Sequence, residues 1–63
     1  MSGLSLWQQA QVIEAIHLLN RAYRSVDLSL SADPVDEKED YESLENSRSV
    51  IGRTIGDLEK LLD

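Results

Sequence analysis

The chain has no cysteine and no phenylalanine, one proline, three glycines and few aromatic residues, 5% in all. Without cysteine there can be no disulfide, no Cys-based zinc site and no thiol chemistry. No apolar run approaches the roughly 20 residues that span a bilayer. Met1 to Ala10 lack the basic start and continuous apolar stretch of a secretory signal. A soluble, cytoplasmic protein with no membrane association is the expectation. There is no Gly-rich phosphate loop, and Asp36, Lys38, Asp40 and Glu42 lack the glycine turn and oxygen spacing of a calcium loop. The only histidine, His17, projects beside Asn20 and Arg21 on a helix rather than near any Asp, and a helical hairpin this small offers little cleft in which a nucleophile, base and orienting acid could meet. No catalytic residues, cofactor or metal are expected, and the chain reads as non-enzymatic.

What is present is charge and helical periodicity. The formal charge of −6 is concentrated in one segment. Residues 1–32 carry Glu14 and Asp27 against Arg21 and Arg24, and residues 48–63 carry Asp57, Glu59 and Asp63 against Arg48, Arg53 and Lys60, so both segments are neutral. Residues 33–47 hold Asp33, Asp36, Glu37, Glu39, Asp40, Glu42 and Glu45 against Lys38 alone. Such a block repels nucleic-acid phosphates and attracts a basic protein surface. Direct nucleic-acid binding is therefore not expected.

Val12, Ile16, Leu19, Tyr23, Val26 and Leu30 recur at spacings of four and three, as do Tyr41, Leu44, Arg48, Ile51, Ile55, Leu58 and Leu62. The fold class expected is all-α, an antiparallel helical hairpin forming a single domain over residues 1–63. Ser5-Leu6-Trp7-Gln8 has the form of a capping box, with Ser2 as an alternative cap. Helix one is predicted over about residues 5–30, the turn at 31–33 and helix two over about 34–62. In that reading Asp33-Pro34 restarts the helix, and Asp36 and Glu37 lie in its first turns. Val26 to Ser31 also alternate apolar and polar residues in the manner of a strand, although no pairing partner is evident. The stripes align when facing residue numbers sum to 67, which places Tyr23 opposite Leu44 and Leu19 opposite Arg48.

A second apolar stripe lies outside this seam: Leu4, Ala15, Leu18 and Ala22 on helix one, with Val50 and Leu61 on the same side of helix two. A hairpin cannot cover both stripes, and small domains bury too little surface to be stable alone. A homodimeric four-helix bundle is the simplest remedy, with these six residues as the self-association face. Gly52 and Gly56 each cost about 1 kcal/mol relative to alanine in a helix, and packing of Ile13 into the gap they leave offers one reason for them. Arg48 interrupts the seam. It either fixes specificity through an acidic partner or extends its guanidinium to water or Glu45. Trp7 falls on the outer side of the first turn, as an interface anchor or as part of a cap over the bundle end.

The function expected is that of a small acidic protein–protein interaction module that self-associates and binds a protein with a basic surface. Trp7, Asp36, Glu37, Glu39 and Asp40 are its candidate contacts. Two other readings are an acidic decoy whose carboxylates imitate nucleic-acid phosphates in a basic groove, as some phage-encoded proteins do, and a small chaperone or obligate subunit of a larger complex.

Overall fold

The computed structural model describes residues 3–63, and Met1 and Ser2, with the alternative cap at Ser2, lie outside the described residues. Two helices, α1 (Leu6–Ala32) and α2 (Lys38–Lys60), pack against each other as a hairpin. The N-terminus of α1 forms as its sequence dictates. The Gln8 amide donates to Ser5 Oγ at 3.1 Å, and the Ser5 amide donates to Gln8 Oε1 at 2.9 Å, so two of the free N–H groups of the first turn are satisfied reciprocally.

The alternating stretch Val26 to Ser31 is helical. Its hydroxyls return to the preceding turn, Ser29 Oγ donating to the Ser25 carbonyl at 2.9 Å and Ser31 Oγ to that of Asp27 at 2.8 Å. Here the amphipathic stripe that continues through Val26 and Leu30 prevails over local alternation.

The connection is longer than the sequence pattern predicts and lies later in the chain, occupying residues 33–37. Pro34 excludes the helical region for the residue before it, so Asp33 is extended, at φ −126° and ψ 143°, and ends α1. The proline does not restart the helix. Glu37 takes the N-cap position at φ −86° and ψ 120° without a side-chain capping bond, which leaves Asp36 and Glu37 ahead of α2 and Glu39 and Asp40 in its first turn. Val35, the apolar residue of the link, is half-buried. At the other end α2 stops at Lys60, and the chain tightens so that the Leu61 and Leu62 amides donate to the Leu58 and Glu59 carbonyls, three residues back.

The stripes predicted to form the seam do so, yet shallowly. Val12, Ile16, Leu19, Val26 and Leu30 face Leu44, Ile51, Ile55, Leu58 and Leu62, and all are half-buried. Tyr23 and Tyr41 stay more exposed, and no described residue is fully buried. The radius of gyration is 14.6 Å, against about 11 Å for a compact domain of this length. The molecule is a rod of 46 × 14 × 12 Å.

The axial register also differs from prediction. Arg48 pairs with Asp27, and Tyr23 lies over Gly52; both pairs sum to 75. Helical side chains lean toward their own N-terminus by about one position, which accounts for a small part of the difference from 67. The register is thus displaced toward higher sums, because the later, five-residue link 33–37 replaces the shorter turn predicted at 31–33. A slip by whole turns keeps each stripe facing the other, so the seam residues are unchanged while their pairings move.

Candidate interaction surfaces

Four features singled out from the sequence find their places on this rod. The first is the face outside the seam. At 100° per residue, Leu18, Ala22 and Trp7 of α1 and Val50, Thr54 and Leu61 of α2 point to the same side. Leu18 is 53% exposed and Val50 41%, with Ala22 and Leu61 also exposed. Leu4 and Ala15, expected on this face, are half-buried at the margin between it and the seam. Thr54 Oγ1 donates to the Val50 carbonyl at 2.8 Å, which satisfies its hydroxyl within the helix.

The second feature is the acidic end. Asp36, Glu37, Glu39 and Asp40 are all exposed, around the link and the first turn of α2. Glu39 and Asp40 complement the positive end of the helix dipole, as Lys60 complements the negative end. Lys38 lies 3.9 Å from Glu42 on the exposed surface, a geometry that contributes little to stability.

Trp7 is the third. It is 71% exposed, and its neighbour Leu6 is 84% exposed. The residues of the first turn do not fold over the bundle end as a cap. Trp7 and the acidic segment stand at opposite ends of the rod.

The fourth is Arg48. Its Nη1 donates to Asp27 Oδ1 at 2.5 Å, and Nη2 lies 3.9 Å from Glu45 Oε2. The hydrogen bond from the guanidinium to Asp27, opposed by desolvation and supported by the nearby negative charge of Asp27, raises the pKa of Arg48 above its ordinary value. The expectation of Leu19 opposite Arg48 gives way to a cross-helix ion pair near the turn. Asp27 was not singled out from the sequence, although a signal was there: Glu14 and Asp27 are the only carboxylates of α1, so a seam arginine has few partners to choose from.

The glycines divide. A Cβ on Gly52 would stand 3.3 Å from Tyr23 Cε2, whereas a Cβ on Gly56 would meet nothing within 4 Å. Ile13 does not fill this gap; it is among the exposed apolar side chains. The ring of Tyr23 lies beside Gly52 instead.

His17 is exposed on α1. Among the described residues, no group of three or more His, Asp or Glu side chains is arranged to hold a metal ion, and no helix is long and apolar enough to cross a membrane. An open depression on α2, lined by Glu42, Glu45, Asn46, Arg48 and Ser49, surrounds the guanidinium. No protein-family model matches the chain, and neither a curated protein nor a solved structure is significantly similar to it.

Proposed function

We propose that this chain is a non-enzymatic interaction module that self-associates through the Leu18–Val50 face into a four-helix bundle and presents its acidic end to a protein with a basic surface. One observation carries the reading: no described side chain is fully buried, while a second apolar face lies open along the rod. The exposed area is 5009 Å², against about 4,100 Å² expected for a compact protein of this mass. The excess, about 900 Å², is on the scale of the roughly 800 Å² that each partner contributes to a stable interface. The acidic segment supports the second part, since its carboxylates project into solvent with only one lysine among them and create a local negative field.

Light scattering of the purified chain tests self-association directly. A mass of twice 7.1 kDa is expected, reverting to a single chain in Leu18→Glu or Val50→Glu. A folded monomer unaffected by either substitution would refute it. For the partner, pull-downs compare the native chain with one in which Asp36, Glu37, Glu39 and Asp40 are reversed to lysine. A polypeptide retained equally by both does not bind through the acidic end.

A further inference from the structure

Arg48 is the one charged residue in an otherwise apolar seam, and Asp27 answers it from the other helix. We infer that this pair is a register pin: it selects one of the heights at which the two stripes can mesh, and without it α2 slides about one turn toward the N-terminus of α1. The inference concerns the hairpin alone and holds whether or not a second copy binds.

The link does not fix the height by itself. α1 ends at Ala32 and α2 begins at Lys38, so a link that returned the chain at the same level would pair residues whose numbers sum to 70. The observed contacts, Arg48 with Asp27 and Tyr23 with Gly52, sum to 75. Side chains lean toward their own N-terminus by about one position on each helix, which leaves about three residues, or about 4.5 Å along the axis, still to be explained. α2 therefore stands nearly a turn beyond level closure, toward the turn end of the rod, and the paired length of the helices is shorter by that amount. Burial of the stripes favours the opposite displacement, since added overlap removes more apolar surface from water.

The ion pair supplies the missing cause. Arg48 Nη1 donates to Asp27 Oδ1 at 2.5 Å, with Glu45 of its own helix 3.9 Å from Nη2. Asp27 and Glu14 are the only carboxylates of α1, and at 100° per residue Glu14 faces away from the seam. Arg48 thus meets a cross-helix carboxylate at one height only. A slide of one turn in either direction would place Tyr23 or Ser31 opposite it, and the half-buried guanidinium would lose its charged acceptor. A polar or ionic group in an apolar seam specifies register in this way, at a cost in stability.

The surroundings of the glycines set the direction. A slide toward the N-terminus of α1 carries Tyr23 off Gly52 and brings Leu19, the seam residue one turn before it, onto that glycine. The opposite slide would seat the Tyr23 ring on Gly56, which has open space around it, but it would uncover a further turn of both stripes and stretch the link. The register also shapes the apolar face outside the seam. At the observed height Leu18 and Val50 stand about 10 Å apart along the rod, and the slide brings them to within about 5 Å.

Nuclear Overhauser contacts within one isotopically labelled chain read the register directly. In the native chain the Tyr23 ring should show cross-peaks to the Gly52 Hα protons. Arg48→Leu, which completes the apolar stripe, and Asp27→Ala, which removes the acceptor, should each weaken them several-fold and give Leu19–Gly52 cross-peaks in their place. Exchanging the charges, Asp27→Arg together with Arg48→Asp, should restore the native pattern. Tyr23–Gly52 cross-peaks of native intensity in either single variant would overturn the pin, as would a charge-exchanged chain that keeps the Leu19–Gly52 pattern. Cross-peaks from Tyr23 to Gly56 would overturn the direction of the slide. A single variant that loses its helical circular dichroism without any Leu19–Gly52 cross-peak also refutes the inference, because the pair would then hold the hairpin together rather than choose among its registers.

Discussion

The two helical glycines offer the sharpest test of the packing, because they cost the helix the same and meet different surroundings. Alanine in place of either glycine gains about 1 kcal/mol of helix propensity. At Gly56 the added methyl enters open space, since nothing lies within 4 Å of it, and the full gain should appear. For a domain of 60–100 residues, 1 kcal/mol raises Tm by about 4–8 °C. At Gly52 the methyl would stand 3.3 Å from Tyr23 Cε2, inside the roughly 3.5–4.0 Å of an optimal carbon–carbon contact. The ring must withdraw by a few tenths of an ångström, which offsets part of the gain. Thermal unfolding followed by far-UV circular dichroism, at matched chain concentration because self-association makes Tm concentration-dependent, should rank Gly56→Ala above Gly52→Ala and both variants' mass as native. Removing the ring with Tyr23→Ala should restore the full increment at position 52, a non-additivity expected of residues in contact. If Gly52→Ala stabilises as much as Gly56→Ala, Tyr23 does not rest on Gly52. A lower Tm or a changed mass in Gly56→Ala would place another helix against that glycine, contrary to the open space seen there.

Replacing Ser5 with alanine removes the acceptor for the Gln8 amide and should cost about 1 kcal/mol, read as a lower Tm that Ser5→Asp largely restores. Ala substitutions at Arg48 and Asp27 should be non-additive in a double-mutant cycle, with the coupling reduced in 1 M salt, where the Debye length falls to about 3 Å. Additive effects in that cycle would mean that the pair in the structure does not form in solution. Changing Pro34 to alanine releases Asp33 from its restriction to extended backbone and should allow α1 to lengthen into the link, measured as added helical ellipticity; unchanged ellipticity would mean that something other than Pro34 ends α1.

The cap at Ser5, the two amphipathic stripes and their meeting as a hairpin were legible because they follow from local rules of hydrogen bonding and a 3.6-residue period. The surplus apolar residues Leu18, Val50 and Leu61 were legible as well, since a two-helix seam has only one face. The pairing of residues across the seam was not. A helical stripe looks the same after a slip of one turn, so periodicity specifies which residues face inward while leaving their height open. Height was decided by where the chain reverses, through the extended Asp33 before Pro34 and the uncapped Glu37. That offset brings Arg48 to Asp27, seats Tyr23 on Gly52 and leaves Gly56 open. The sequence by itself determined an amphipathic hairpin with its charge gathered in residues 33–47. Only the tertiary structure decided which residues share a level along the rod, because a helical stripe repeats every turn and its period leaves the height of one helix against the other open.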